Sequence, residues 1–459
     1  MQKSILMLGA TLFLSGCGIY TKYEPQTSVP DQLYGEEVEV NVADTMSIGS
    51  MDWRELFKDP RLQALIEKGL ENNTDLRTAQ LRVEEAKASL LAAKLSFLPG
   101  LSFSPQGTIS SFNGETSKTY TVPVTASWEL DIFGKLRNAK KQAAAAYAQS
   151  EDYQQAVRSS LIANIANTYY TLLMLDEQLA LSEETAQSWK ETVRSTQALM
   201  NAGLADESSV SQMTATYYEV RNSVVDLKEQ INQVENSLAL LLAETPHAIE
   251  RGRLAEQEFP EELAVGVPVR LLSNRPDVRQ AERQLEQAFY VTNQANAAFY
   301  PSITLSGSAG WTNSGGAIIT NPGEFLASAV ASLTQPLFNR GALIAQKKIA
   351  KAQQEEASLA FQQKLLDAGS EVNEALVSYQ VSKEKRDNYE RQIASLRNAL
   401  RSTSQLMEHG NTTYLEVLTA KQTLLSAQLS QVANRFKEIQ SVINLYQALG
   451  GGANAGQAS

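Results

Sequence analysis

The sequence predicts a mainly α-helical fold with four membrane-crossing β-strands, built as a tandem duplication of a unit of roughly 200 residues. The first observation is a repeat: the segment that begins at Asn73 recurs without a gap from Arg275, so that Asp75 matches Asp277. The second is a set of segments in which apolar and polar residues alternate, and the third is a set of long coiled-coil-like runs. Because internal repeats restrict a fold strongly, each half should have the same order of elements.

Each half is predicted to open with a helix, over residues 53 to 97 in the first half and about 266 to 299 in the second. Pro99 and Pro301 follow these helices at matching positions. Proline is common just past the end of a helix because it cannot continue one.

Two extended segments follow in each half. Residues 119–130 alternate strictly, with apolar residues at Tyr120, Val122, Val124, Ala126, Trp128 and Leu130. Residues 303–311 alternate in the same way, whereas residues 325–333 have one apolar face and one imperfectly polar face. Alternation with a period of two is typical of a strand with one apolar face, so each half should contain a β-hairpin.

A pair of long antiparallel helices completes each half. Residues 136–202 contain neither proline nor glycine, and Gly203 then interrupts the helical pattern. The returning helix has apolar residues spaced alternately by three and four positions, at Tyr217, Val220, Val224, Leu227, Ile231, Val234, Leu238 and Leu241. The second half repeats this arrangement around Gly410 and has a similar apolar seam from Leu425 to Tyr446. This spacing is that of a coiled coil.

The N-terminus has the pattern of a secretory signal peptide, residues 1–16: Lys3 precedes a short apolar run, and small residues follow it. The run is too short to span a bilayer as a helix, which needs about 20 residues. Cys17 is the only cysteine, which excludes an intramolecular disulfide. Its position after a leucine and two small residues resembles the lipid-attachment sequence of bacterial lipoproteins; an ordinary signal peptide with an incidental cysteine is the alternative.

This resemblance implies cleavage before Cys17 and acylation of that residue, palmitate being one such acyl group. Residues 17–52 would then form a lipidated N-terminal tether, since they are polar and only weakly periodic. The glycine-rich residues 450–459 are expected to be a disordered tail.

Composition excludes several classes of function. The net charge of −11 and the pI of about 5.0 argue against nucleic-acid binding, which needs a basic surface. Neither His247 nor His409 belongs to a metalloprotease zinc motif, and Gly134-Lys135 lacks the upstream glycine of a phosphate-binding loop. We therefore expect no enzyme activity, no cofactor and no resident metal.

The length of the predicted strands suits an outer membrane, which a strand of about 9 to 11 residues can cross. A bilayer admits only helices or closed barrels, because every backbone polar group must be paired. Four strands cannot close alone, since the smallest barrels have about eight. Closure would need further copies; three would supply twelve strands, and two are not excluded. A soluble hairpin domain attached to coiled coils is the alternative.

Seven stretches carry a family resemblance and together cover nearly the whole chain. They are the sequence ending at Cys17, WRELFKDPRLQALIEKGLENNTDLRTA (53–79), ELDIFGKLR (129–137), LLAETP (241–246), SNRPDVRQAE (273–282), FYPSITLSGSAG (299–310) and QPLFNRGAL (335–343). The chain resembles the outer-membrane factors, the TolC-like or OprM-like efflux channels, and specifically their lipoprotein branch. Ala243 departs from the family, which usually has glycine there.

The resemblance implies a homotrimer whose twelve strands form a β-barrel in the outer membrane of a Gram-negative bacterium, continuous with a periplasmic α-helical barrel. Residues 53–250 would be the first repeat of the family and residues 251–449 the second. The trimer would be a passive exit duct for small molecules, either drugs or metal ions. A periplasmic adaptor protein and an inner-membrane transporter, expected to be proton-driven, would deliver them. An exit duct for type I protein secretion and a periplasmic coiled-coil lipoprotein without a pore are the alternatives.

The resemblance also assigns roles to the two helical turns. In the family these turns meet the adaptor, and the matching positions here are Gly203, Leu204, Gly410 and Asn411. A glycine suits each turn because it adopts positive φ without steric penalty.

The family closes its periplasmic end with acidic and hydrogen-bonding residues that follow the second glycine. Glu416 occupies a matching position, and three copies of a glutamate around one axis would form a ring that attracts cations. Thr419 stands where the family often has a second acid, so the gate is expected to be less acidic here. A solvated surface charge is the alternative role for Glu416.

Overall fold

The computed structural model describes residues 21–25, 29, 33–34, 47–203, 205–260, 274–313, 323–408 and 413–452. The predicted signal peptide, Cys17, Leu204, Gly410, Asn411 and residues 453–459 of the predicted tail lie outside the described residues. Residues 450–452 are described and buried, so the prediction that the tail is disordered from residue 450 is wrong.

Among the described residues, the last three helices of the first half recur in the same order in the second half. The first half contains α1 (Trp53–Leu56), α2 (Pro60–Asn72), α3 (Thr74–Leu95), α4 (Lys135–Asn201) and α5 (Glu207–Leu241). The second contains α6 (Pro276–Ala297), α7 (Ala342–Glu408) and α8 (Tyr414–Ala448). The long helices α4 and α7 have 67 residues each, and α5 and α8 have 35 each. These equal lengths confirm the predicted duplication.

The prediction of one continuous helix over residues 53–97 is wrong. The helix is interrupted before Pro60, where Asp59 accepts a hydrogen bond from a backbone N–H of the first turn of α2. It is interrupted again at Asn73, whose side-chain oxygen accepts the backbone N–H of Asp75 at 3.0 Å. Both interruptions are helix N-caps, which compete with continuation of the preceding helix.

Five antiparallel strands form one sheet that is four strands wide, because two short strands follow one another along one edge. The strands are β1 (Gly100–Phe103), β2 (Gln106–Phe112), β3 (Glu115–Leu130), β4 (Ser302–Thr312) and β5 (Glu324–Thr334). Strands β1 and β2 both pair with β3 and share one position, followed by β3, β4 and β5 in that order. Pro105, which has no N–H to donate, separates β1 from β2. The four predicted strands are therefore confirmed, and the first of them is divided into β1 and β2.

The first hairpin turn is a two-residue Asn-Gly turn with positive φ at both positions. Asn113 and Gly114 connect β2 to β3 and have φ values of 51° and 85°. Positive φ at both central residues is the requirement of a type I′ turn, which matches the twist of the strands it joins.

The chain divides into two compact units, each containing segments from both repeats. The sheet lies in a unit that contains Gln80–Asp152 and Arg279–Lys364. The other unit contains the described parts of Ser28–Ala79, Tyr153–Val278 and Leu365–Ser459. Its largest fully buried side chains are Tyr34, Trp53, Phe57, Tyr169, Tyr170, Trp189 and Tyr446. Among the described residues, no helix is both long and apolar enough to cross a membrane.

The described parts of the predicted tether pack against helices. In the unit that holds the sheet, the Tyr23 and Phe289 rings meet edge to face with centroids 5.7 Å apart, and the Thr21 hydroxyl donates to Asn293. In the other unit, Tyr34 is 2% exposed and its carbonyl accepts a hydrogen bond from the Asn373 side chain. These stretches therefore contribute buried contacts to the fold.

Replacing Ala243 with glycine is expected to stabilise the fold by about 1 kcal/mol. Ala243 follows α5 with φ of 57°, a left-handed conformation that costs a residue with a Cβ roughly 1 kcal/mol or more. Gly450, at the corresponding end of α8, has φ of 85°. Thermal denaturation in detergent should show a higher midpoint for Ala243→Gly; a lower midpoint would contradict the strain argument.

Gly450→Ala provides the control. Its added Cβ would lie 2.5 Å from the carbonyl oxygen of Asn274, so this substitution adds a steric clash to the unfavourable φ. We expect it to lower the midpoint.

Candidate functional site

The register of the sheet places most of the large apolar residues of its strands on one face. Trp128 lies opposite Leu305, which lies opposite Ala331, and Val124 lies opposite Ala309. The large apolar side chains of this face include Leu101, Phe103, Ile109, Val122, Val124, Trp128, Leu130, Ile303, Leu305, Trp311, Phe325 and Leu333. The predicted alternation is confirmed, and the result is one continuous apolar surface.

The opposite face of the sheet is rich in hydroxyl groups. Cross-strand hydrogen bonds join Ser102 to Thr125 at 2.6 Å and Ser308 to Ser328 at 2.7 Å. In β5 this face also carries Leu326 and Val330, as its imperfect alternation predicts. A hydroxyl-bearing surface can be solvated by water, whereas the apolar face can be solvated by lipid.

Both outer edges of the sheet lack a partner strand among the described residues. Strand β3 pairs on both sides, but β1 and β2 form one edge and β5 forms the other. All eleven residues of β5 are exposed. An unpaired edge presents a row of free N–H and C=O groups, which a hydrocarbon environment does not tolerate.

The turn between α4 and α5 is tight and exposed. Gly203 has φ of 76°, and a Cβ placed there would contact nothing within 4 Å. Asp206 caps α5 by accepting hydrogen bonds from the backbone N–H and hydroxyl of Ser209, both at 2.7 Å. These bonds lower the pKa of the Asp206 carboxyl. The predicted need for glycine at this turn is confirmed for Gly203.

An apolar cluster joins three helices near this turn. It consists of Ala186 and Trp189 from α4, Met213 and Val220 from α5, and Leu418 from α8. The Tyr414 hydroxyl at the start of α8 also donates to the Gln212 side chain of α5, at 2.9 Å. The first turns of α8, from the second repeat, are thus packed on the helix pair of the first repeat.

The two residues predicted to form the gate lie on the exposed side of α8. Glu416 is in its first turn and forms no ion pair with any other described residue. The Thr419 hydroxyl donates to the carbonyl of Leu415 in its own helix, at 2.8 Å. Both side chains are exposed with respect to the described residues of this chain.

Sequence reasoning missed Lys421, which lies one turn beyond Leu418. Its Nζ is 3.1 Å from Ser188 Oγ and 2.7 Å from Thr192 Oγ1, and it lies over the Trp189 ring. Burial lowers the pKa of this amine. The apolar periodicity contains no signal for this contact, because the alternating spacing of the seam places Gln422, rather than Lys421, three residues before Leu425.

The long paired helices, the amphipathic sheet and the unpaired sheet edges together define a class of protein: a membrane channel that combines β-strands with a helical body. A sequence profile of the outer membrane efflux protein family matches residues 65–244 and 267–451. The chain belongs to this family.

Known proteins are similar to this chain over almost its whole length. The chain is 29% identical to the cation efflux system protein CusC of Escherichia coli K12, over 98% of this chain and 99% of that protein. It is 28% identical to the probable outer membrane lipoprotein SilC of Salmonella typhimurium, over 98% and 99%. The open-state structure of the Neisseria gonorrhoeae MtrE outer membrane channel matches with a TM-score of 0.84 and 27% identity, over 96% of this chain and 99% of that one.

These matches make the chain an outer-membrane efflux channel, the outer component of a tripartite efflux system. The predicted family, fold class, efflux function and outer-membrane location are confirmed.

Proposed function

We propose that three copies of this chain form a passive exit duct for small molecules across the outer membrane. The observation that carries the proposal is an amphipathic sheet that is open at both edges. Pairing the β5 edge of one copy with the β1–β2 edge of the next would satisfy both edges. Repeating this contact three times would give twelve strand positions, enough for a closed barrel.

The two faces of the sheet indicate which of them would point outward in the closed barrel. The apolar face, with Trp128 and Trp311 near opposite ends of the paired strands, is suited to lipid. The hydroxyl face would then line the duct. A wall of serine and threonine hydroxyls is compatible with water, which supports a water-filled duct.

The substrate class is a small solute: a drug, an organic solvent or a metal ion. The printed names of the relatives support this, since CusC belongs to a cation efflux system and SrpC of Pseudomonas putida to a solvent efflux pump. A periplasmic adaptor and an inner-membrane transporter, expected to be proton-driven, would supply the solute. No cofactor is needed for passive transport.

Cys17 is proposed to carry a lipid anchor. It is the only cysteine, and it follows a signal-like segment. Thr21 and Tyr23, only a few residues later, pack on α6 within the unit that also contains the sheet. The description of SilC as a lipoprotein supports the same assignment.

The turns at Gly203, Leu204, Gly410 and Asn411 are proposed to dock the adaptor. The test is a photo-crosslinker placed at Leu204 or Asn411, activated in cells, with captured proteins identified by mass spectrometry. The same crosslinker at Leu240, which is 73% exposed near the other end of α5, is the matched control.

Capture of a periplasmic adaptor from the turns but not from Leu240 would support docking there. Co-capture of a proton-driven transporter would also identify the pump. Equal capture from all positions, or no adaptor at all from correctly localised protein, would overturn the docking assignment.

Glu416 is proposed to contribute to the gate, and its neutralisation should change ion flow. If three Glu416 side chains face one axis, Glu416→Gln should reduce the cation selectivity of the purified channel in planar bilayers. Glu207→Gln is the control, because Glu207 is the acidic residue in the first turn of α5. Unchanged selectivity and conductance in the Glu416 variant would make this residue a solvated surface charge, and Thr419 would lose its proposed role beside it.

A further inference from the structure

Lys421 occupies an unusual environment for a charged side chain. Its amine reaches from α8 to one face of α4, where Ser188, Thr192 and Trp189 surround it. Both hydrogen-bond partners are neutral hydroxyls, at 3.1 and 2.7 Å. Among the described residues of the chain, no carboxylate lies within ion-pair distance of this amine.

The ammonium group of Lys421 recovers only part of the hydration energy that it loses when it packs against α4. Hydroxyl groups and an indole face recover some of its hydration energy, but a partly buried charge without a close opposite charge remains unfavourable. Glu191, an exposed residue of α4, acts only through space and does not cancel the effect of burial, which lowers the amine's pKa. Opening the contact between α4 and α8 would return the amine to water.

The neighbouring residues could accept an apolar side chain at this position. Trp189 is 1% exposed and Met213 is completely buried, and Leu418 lies one helical turn before Lys421. An apolar side chain of similar length at this position would avoid the cost of removing a charge from water. Lys421 therefore weakens a helix contact that an apolar residue at the same place would strengthen.

We propose that Lys421 is a release element: it lowers the free energy needed to separate α8 from α4 and so favours opening of the channel. The proposal rests on the proposed function, because it assumes that this end of the helices moves when solutes pass. The opposite role would be a latch, in which the two hydrogen bonds of Lys421 hold α8 closed. The two roles predict opposite signs for the same substitution.

The test is Lys421→Met, with Lys421→Leu as a second apolar variant. Lys228→Met is the matched control, because Lys228 also joins two long helices but does so by an exposed ion pair with Glu183 at 2.7 Å. We expect both Lys421 variants to denature at a higher temperature. We also expect their open probability in planar bilayers to fall about tenfold, which corresponds to about 1.4 kcal/mol. Lys228→Met should leave open probability near that of the wild type.

The alternative outcomes are distinguishable. If the wild-type protein forms no conducting assembly, the proposed function fails. If the wild type conducts and the Lys421 variants open more often, denature at a lower temperature or fail to assemble, Lys421 is a latch and the proposal is overturned. Variants that behave like the wild type would also overturn it, since Lys421 would then have no effect on opening.

Discussion

Arginine in place of Val124 is expected to abolish assembly in the outer membrane, whereas arginine in place of Thr125 is expected to be tolerated. The two residues are adjacent in β3 and lie on opposite faces of the sheet. Val124 is on the apolar face, near the middle of the alternating segment, and its side chain is 48% exposed. Thr125 is on the hydroxyl face and pairs with Ser102.

The expected effect is large because each of the three copies in the assembly would carry the substitution. A lipid-facing arginine near the bilayer midplane destabilises a barrel by about 2 to 4 kcal/mol, and three copies would give about 6 to 12 kcal/mol. Cell fractionation and electrophoresis of unheated samples would measure the amount of assembled protein in the outer membrane. Loss of the Thr125→Arg protein with retention of the Val124→Arg protein would mean that the faces are assigned the wrong way round.

Alanine in place of Trp189 is expected to loosen the contact between α8 and the α4–α5 pair. Trp189 is 1% exposed and lies in the cluster that joins these helices. Removing a buried tryptophan side chain typically destabilises a protein by about 3 to 5 kcal/mol. We expect a lower denaturation temperature and a larger passive conductance in planar bilayers.

Phenylalanine at position 189 is the matched control. The indole N–H of Trp189 has no hydrogen-bond partner among the described residues, so Trp189→Phe loses volume but none of the described hydrogen bonds. The denaturation temperature and conductance of Trp189→Phe should lie much nearer the wild-type values than those of Trp189→Ala do. If the alanine variant denatured and conducted like the wild type, the cluster would not control this contact.

Features with a strict period could be predicted from the sequence. Alternation in β3 and β4 identified the apolar face, because side chains of a strand point to opposite faces in turn. The gap-free repeat gave the order of elements in both halves, and the position of Gly203 gave the turn between α4 and α5.

Features that depend on competition between local conformations, or on tertiary packing, could not be predicted from the sequence. The caps at Asp59 and Asn73 use short side chains that also occur inside helices, so they did not mark the breaks in the first helix. The contacts of Tyr23 and Tyr34 depend on residues hundreds of positions away. The environment of Lys421 likewise depends on the packing of α8 on α4, which no local pattern specifies.

The most direct test of the account is the number of chains in the native assembly. Native mass spectrometry of protein extracted from the outer membrane would count them. The open sheet and its two unpaired edges require closure by copies, so we expect three chains in each particle. A single chain would contradict closure by copies altogether, and a dimer would contradict the twelve-stranded barrel.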